Sequence, residues 1–324
     1  MRLSQERLLV LENSTGFRAD ILEKVIHLLN LLNSLVKHPY LKGKFALKGG
    51  TALNLFFFDM PRLSVDIDLN YIGSLTGEEM TNARPRIDQA IQAVFSREGF
   101  TIKRMPEEHA GGKWRLGYVS AFSQTRRIEI DFNFMFRQPL WDVHLLDSHA
   151  LGDFQAIGIP VLDLNELAAG KMAALFVRRQ ARDLFDVRQL MSRTDIDRKQ
   201  LRIAFVVYGA MNSKDWRAIS LDDIQSKTEE MNRSPLPFLR RDIAPLPRES
   251  SDYFRRLMTE CREYLSIVFP FEEHELEFLN LILDKGEIDS SLLTNNRETQ
   301  QRIRNHPMLL WKGLNVRKHL SLGT

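Results

Sequence analysis

The sequence has few of the residues that build covalently cross-linked or membrane-inserted structures. It contains one cysteine, Cys261, in 324 residues, which excludes an internal disulfide and a cysteine-rich zinc site. It has no run of about 18 uncharged apolar residues, so we expect no transmembrane helix and no membrane partner. Charged residues interrupt the first eleven positions, so no signal peptide is predicted. We therefore expect a cytoplasmic protein.

A strong excess of one charge is also lacking. The chain has 45 Lys and Arg against 42 Asp and Glu, a formal net charge of +3. Such a mildly basic protein can bind nucleic acid, but its charge does not require this. With 44% hydrophobic residues, the length allows two globular domains.

The most informative stretch is 47–71, which begins with a glycine pair. Gly49 and Gly50 allow the backbone to approach a ligand closely, and Thr51 adds a hydroxyl group. The apolar run 52–58 predicts a buried helix. Backbone amides at the start of a helix after a glycine turn bind anions. This part of the stretch therefore predicts a phosphate-binding site.

The same stretch ends with two carboxylates, Asp66 and Asp68. Residues two apart in a strand project from the same face, so these carboxylates are expected to lie side by side. Their mutual repulsion is relieved by a cation, and Mg²⁺ takes one or two carboxylates together with substrate phosphates. The two parts of the stretch together predict a site for a nucleoside triphosphate with its metal.

These motifs resemble a known family. Gly49-Gly50-Thr51 followed by Asp66-Ile67-Asp68 resembles the signature of the DNA polymerase β nucleotidyltransferase superfamily. The run 62–68, Arg-Leu-Ser-Val-Asp-Ile-Asp, is similar to the AbiEii/AbiGii-type toxin branch, which includes MenT-like toxins. The resemblance implies an α/β fold: a polymerase β-like core with a mixed or antiparallel sheet and helices, followed by a mostly helical C-terminal half. It also implies that Ser64 contacts a phosphate.

The superfamily places a third carboxylate on a neighbouring strand. In the run 127–134, apolar and polar residues alternate, which predicts a strand with one buried face. Asp131 is the best match for the third carboxylate and Glu129 is the second choice. The resemblance then implies that Asp66, Asp68 and Asp131 hold Mg²⁺ or Mn²⁺. The alternative is an amphipathic edge strand without a catalytic role.

Local patterns predict the elements around these motifs. Apolar residues at helical spacing indicate helices, and alternation with short turns indicates antiparallel strands, whereas Pro and Gly make one stretch irregular. We predict helices within 1–38 and 75–98, strands near 101–105, 113–122 and 126–136, and irregular structure over 138–160.

A second set of candidate residues follows the irregular stretch. The run 163–166 has the spacing of a capping box and predicts a helix that ends near Arg178. Lys171 and Arg178, seven residues apart, share one face of that helix. The next predicted helical turn carries Arg182, Asp183 and Asp186.

The toxin branch has a similar Lys…Arg…Arg-Asp-x-x-Asp pattern. The resemblance implies that Lys171 approaches the triphosphate, with Arg178 and Arg182 as further nucleotide-binding cations. It also implies that one carboxylate completes the site, for which Asp186 is preferred over Asp183. Two alternatives stay open: Asp183 pairs with the arginine four residues before it, or the whole pattern is a surface ion-pair helix.

The remainder of the sequence is read as helical, notably over 271–283 and 300–310. We predict a catalytic domain over 1–195 and a helical domain over 196–324. Trp311 lies among late basic residues that could bind RNA through phosphates and stacking, or could equally be solvated helix faces. These basic residues are Arg297, Arg302, Arg304, Lys312, Arg317 and Lys318.

Together the motifs predict a metal-dependent nucleotidyltransferase that uses an NTP and releases pyrophosphate. The resemblance implies the toxin of a toxin–antitoxin or phage-defence pair, with a cognate antitoxin as partner. It further implies RNA, namely the 3′ end of tRNA, as the acceptor. Two alternatives are transfer to a protein hydroxyl and a module that binds NTP without transfer.

Overall fold

The computed structural model describes residues 3–225 and 228–322. The chain forms two compact units. The first comprises Met1–Arg137, Val143–Leu162 and Leu236–Ala244, and the second comprises Gln138–Asp142, Asp163–Pro235 and Pro245–Thr324. No helix within the described ranges is long and apolar enough to cross a membrane.

The first unit is built on a seven-stranded mixed sheet with the strand order β3-β4-β5-β2-β1-β7-β6. The pairs β2/β5 and β1/β7 are parallel, and the other neighbouring strands are antiparallel. Its strands are β1 Phe45–Lys48, β2 Asp66–Tyr71, β3 Thr101–Arg104, β4 Gly111–Val119, β5 Thr125–Asn133, β6 His144–Leu146 and β7 Ile159–Val161.

Helices of this unit pack on the apolar face of the sheet. The ring of Phe95 contacts that of Trp114 at 5.5 Å between centroids, and Trp114, Ile130 and Phe132 are fully buried. Because the buried residues of β4 and β5 alternate with polar ones, the other sheet face is left for polar groups. The helices are α1 Gln5–Thr15, α2 Ala19–Lys37, α3 Gly49–Ala52, which continues as a π-helical turn Leu53–Phe57, and α4 Gly77–Arg97.

The second unit is helical. Its α5 packs against α6 and α7, and α6 packs against α9. Short 3₁₀ turns join several of the elements. The helices are α5 Leu164–Arg178, α6 Ala181–Met191, α7 Arg198–Ala210, α8 Thr228–Arg233, α9 Ser250–Leu265, α10 Glu273–Asn280, α11 Arg297–Arg304 and α12 Pro307–Leu322, and a π-helical turn Leu281–Lys285 follows α10.

The mixed α/β fold expected from the sequence is confirmed, and two details differ. The stretch 138–160, predicted as irregular, contains β6 and the start of β7, which are too short to show a period of two. The helix predicted over 300–310 is interrupted, because Pro307 begins a new helix there. The domain boundary at residue 195 stays a prediction; in the second unit, α5 packs on α7 and α6 packs on α9.

Candidate active site

The predicted carboxylates lie on two neighbouring parallel strands. Asp68 is in register with Asp131, and Asp66 is in register with Glu129. Residues opposite each other on paired strands project from the same sheet face. The structure therefore groups the four carboxylates on the polar face of the sheet, as the sequence predicted for Asp66, Asp68 and Asp131.

The two candidates for the third carboxylate differ in their surroundings. Glu129 accepts hydrogen bonds from Arg115 at 2.8 Å and Lys113 at 3.2 Å. Burial acts against ionisation, but these bonds hold the pKa of Glu129 below its ordinary value. Burial and the charge of Asp68 raise the pKa of Asp131, despite opposing effects of Lys48 and Lys113. Of these two candidates, Asp131 is the one whose negative charge is less compensated, which suits a cation ligand.

The glycine pair brings the start of α3 against these carboxylates. Gly49 has φ +75°, and a Cβ atom there would collide with the carboxylate of Asp68. A Cβ atom at Gly50 would lie 3.1 Å from the Ser64 Oγ and 2.9 Å from an Arg62 Nη. Gly49 therefore requires glycine, and Gly50 is closely packed, so the backbone predicted to bind phosphate lies directly beside Asp68 and Ser64.

Thr51 has a different local partner from the predicted phosphate. Its side chain is fully buried, and its hydroxyl donates a hydrogen bond to the backbone carbonyl of Asp66. The buried Asn54 Nδ2 donates to the carbonyl of Gly50 at 2.9 Å. These bonds fix α3 to the start of β2. Thr51 thus positions the site, and its contact with phosphate stays a prediction.

The loop that enters β2 is held by a segment that sequence reasoning missed. Leu63 N donates to Phe238 O at 2.9 Å, and Arg240 N donates to Pro61 O at 3.1 Å. The guanidinium of Arg240 also donates to the carbonyl of Asp59 at 2.8 Å. Segment Leu236–Ala244 therefore holds the chain before Asp66 in place. No local pattern signals this long-range contact.

In the second unit, α5 and α6 bring together a buried ionic cluster. Lys171 Nζ lies 3.1 Å from Asp183 and 2.9 Å from Asp186, whose side chains are both fully buried. Arg178, about half exposed, lies 3.1 Å from Asp183. The predicted shared face of Lys171 and Arg178 is confirmed. Neither alternative is seen: the cluster is not on the surface, and Arg179 pairs with Asp223 instead of Asp183.

Comparisons with known proteins agree with this geometry. The model of the family described as "Nucleotidyl transferase AbiEii toxin, Type IV TA system" matches residues 30–264, which contain the candidate metal-binding and nucleotide-binding residues. The chain belongs to the AbiEii family. It is therefore a nucleotidyltransferase of a toxin–antitoxin family, and the resemblance seen in the sequence is confirmed.

A structural comparison extends the agreement beyond that range. MenT4, a nucleotidyltransferase toxin from Mycobacterium tuberculosis, is similar to the AbiEii chain with a TM-score of 0.61 and 18% sequence identity. The likeness covers 88% of this chain and 91% of MenT4, and it shows a shared fold. A comparison with curated proteins found no match.

The carboxylates of the AbiEii chain fit a Mg²⁺ ion whose remaining ligands come from the substrate and water. Within the described residues, no group of three or more His, Cys, Asp or Glu side chains forms a ready-made metal cage. Mg²⁺ does not need one, because it usually binds one or two carboxylates, water and substrate phosphates. The register of Asp68 and Asp131, with Asp66 beside them, supplies donors of this kind.

One residue near the second cluster of the AbiEii chain departs from its predicted role. Asp163 caps α5 as expected, by accepting from Asn165 N at 2.8 Å. Glu166 does not complete a capping box: it accepts from Leu140 N at 3.0 Å and from the Tyr208 hydroxyl at 2.9 Å. Burial raises the pKa of Glu166 to about 7, although both hydrogen bonds lower it.

Several late basic residues of the AbiEii chain form ion pairs and hydrogen bonds within the second unit. Arg302 pairs with Asp142 and Glu298, and Lys312 Nζ donates to Asn212 O at 2.8 Å. Arg317 donates to the carbonyl of Gly286. These bonds make the cluster a weaker candidate for RNA binding than the sequence indicated. Arg304, Lys318 and Trp311 are exposed.

Proposed function

We propose that this AbiEii-family enzyme transfers a nucleoside monophosphate from an NTP to the 3′ hydroxyl of RNA, with the 3′ end of tRNA as the acceptor. The observation that carries the proposal is the register of Asp68 with Asp131, with Gly49 packed directly against Asp68. The backbone at Gly49, which is accessible to a phosphate, therefore lies beside carboxylates of the kind that bind Mg²⁺. Both substrates are those of a cytoplasmic enzyme.

In this proposal, Asp66, Asp68 and Asp131 hold Mg²⁺ or Mn²⁺, which when bound neutralises the triphosphate and orients the attacking hydroxyl. The backbone at Gly49 and Gly50 and the hydroxyl of Ser64 bind phosphate oxygens. The acceptor oxygen forms a bond to the α-phosphorus and its hydroxyl proton passes to water. The bond from the α-phosphorus to the bridging β-phosphate oxygen breaks in line with it, and pyrophosphate leaves.

In this proposal, Lys171, Arg178 and Arg182 keep the nucleotide-binding role that the family resemblance implies, as cations that stabilise negative charge on a triphosphate. Asp183 and Asp186 lie within 3.1 Å of Lys171 and fix the position of its ammonium group. We assign both carboxylates this positioning role, because each makes a contact of similar length with Lys171.

Labelled NTP incubated with total RNA and protein tests the proposal. We expect label on RNA, resistant to protease and removed by ribonuclease. The double variant Asp66→Ala, Asp68→Ala should reduce transfer by on the order of 10²-fold or more, as expected when electrostatic stabilisation of a developing charge is lost. Asp153→Ala, Asp252→Ala is the matched control, because both side chains are largely exposed on the surface.

The same experiment separates the alternatives. Label that stays with protein after ribonuclease treatment would assign the acceptor to a protein hydroxyl. NTP binding without a labelled product would indicate a non-catalytic module. Full transfer by the Asp66→Ala, Asp68→Ala variant would refute the proposed site. Repeating the assay with each NTP identifies the base.

A further inference from the structure

The polar face of the sheet continues beyond the carboxylates as a row of cations. On β4, Lys113 is in register with Asp131, Arg115 with Glu129, and Gly117 with Arg127 of β5. Residues in register share a sheet face, so Lys113, Arg115 and Arg127 project from the same face as Asp131. All three cations are exposed.

A bulge adds two more cations from the edge strand. The pairing of β3 with β4 shifts between Ile102 and Arg104, so that Arg104 is opposite Arg115. A Cβ atom at Gly117 would lie 3.0 Å from Lys103 Cε, which shows that the Lys103 side chain runs over Gly117 on this face. Both residues of the bulge therefore join the same surface. We call Lys103, Arg104, Lys113, Arg115 and Arg127 the basic strip.

The basic strip retains a positive charge. Glu129 is the carboxylate within the strip, and it pairs with Lys113 and Arg115. Among the ion pairs of residues 3–225 and 228–322, none includes Lys103, Arg104 or Arg127. Glu107 and Glu108 lie beyond the end of β3, in the turn to β4. The strip thus presents five cations against one internal carboxylate.

We propose that the basic strip binds the phosphate backbone of the RNA acceptor, an inference that rests on the function proposed above. The strip begins on β5, the strand of Asp131, and crosses β4 to the edge strand β3, a distance of about 10 Å at roughly 4.8 Å per strand. A surface of this length fits several phosphates of a polynucleotide rather than one bound anion. Because it adjoins the carboxylates, a strand lying on it can present its 3′ end there.

Neutralising the three cations without ion partners tests the inference. We measure binding of a purified tRNA pool to Lys103→Gln, Arg104→Gln, Arg127→Gln across salt concentrations, and NTP binding in parallel. Loss of three phosphate contacts should weaken tRNA binding by about tenfold or more. It should also reduce the steepness of log binding constant against log salt concentration by about 2. NTP affinity and the melting temperature should be unchanged, because the altered side chains are exposed.

Two control variants make the result specific. Arg248→Gln, Arg255→Gln, Arg256→Gln removes the same charge from exposed positions elsewhere and should keep full tRNA binding. Arg304→Gln, Lys318→Gln tests the C-terminal residues, and we expect the smaller effect there.

If wild-type enzyme labels RNA but the strip variant binds tRNA with unchanged affinity and slope, the strip is wrong and the proposed function stands. If wild-type enzyme labels only protein, both fail.

Discussion

At the residue scale, the glycine pair shows why this motif requires its residue types. Gly49 has a positive φ and also faces the Asp68 carboxylate, so a side chain would be both strained and in collision. Gly43 has a similar φ of +72°, but a Cβ atom there would meet nothing within 4 Å. A side chain at Gly43 would therefore cause backbone strain alone, whereas a side chain at Gly49 would cause strain and also disturb the site.

This difference gives a prediction at single-residue resolution. Gly49→Ala should abolish most NMP transfer, because the added methyl displaces the Asp68 carboxylate. Gly43→Ala should lose about 1 kcal/mol of stability, from strain alone, and keep its transfer activity. Labelled-NTP transfer and thermal unfolding measure both. Equal activity of the two variants would contradict the assigned role of Gly49.

Asp131 illustrates what residue patterns can and cannot predict. The alternation over 127–134 placed Asp131 and Glu129 on the same face, because a period of two is a local property. Their different environments depend on Lys113 and Arg115 of β4, and pairing between strands distant in sequence sets that register. The sequence therefore left two candidates, and the structure favours Asp131, because Glu129 is already paired.

At the scale of elements, the helix pair α5 and α6 follows the sequence closely. The end predicted near Arg178 agrees with α5, since capping and periodicity are local signals. The burial of the Lys171 cluster depends on packing and was not predicted. The same is true of Glu166, which was expected in a capping box but is buried with Tyr208 and Leu140.

The raised pKa of Glu166 predicts how stability depends on pH. Its pKa rises from 4.5 to about 7 on folding, so the folded state holds the proton more tightly. The stabilising contribution is full below about pH 4.5 and is lost as the pH rises through about 7. Between pH 5 and pH 8, this carboxyl should lower the free energy of unfolding by about 2 to 3 kcal/mol.

Urea unfolding of the wild type and of Glu166→Gln at these two pH values measures this contribution. The amide keeps one acceptor for Leu140 and can donate to the Tyr208 oxygen, but it does not titrate. The variant should therefore lose less stability than the wild type as the pH rises. Identical pH dependence of the two proteins would show that folding does not raise the pKa of Glu166.

At the scale of the whole molecule, family membership connects the enzyme to its biological role. The match covers residues 30–264, which include segment Leu236–Ala244 and both groups of candidate residues. Sequence motifs were sufficient to recognise the family, because Gly49-Gly50-Thr51 and Asp66-Ile67-Asp68 are close in the chain. The division into two units was not predictable in the same way, since segment Leu236–Ala244 returns to the first unit from a distant position.

If the family role applies, NMP transfer is the cause of toxicity. Expression of the wild-type chain should arrest growth, and co-expression of the neighbouring gene product should relieve the arrest. The Asp66→Ala, Asp68→Ala variant should be harmless at the same protein level, because the motif is lost while the helical unit is untouched. Growth curves measure the arrest, and immunoblotting measures the protein level. Exposure of the same strains to phage tests the defence role. Arrest by the variant would separate toxicity from transfer, and harmless expression of an active wild-type enzyme would exclude this chain as a toxin.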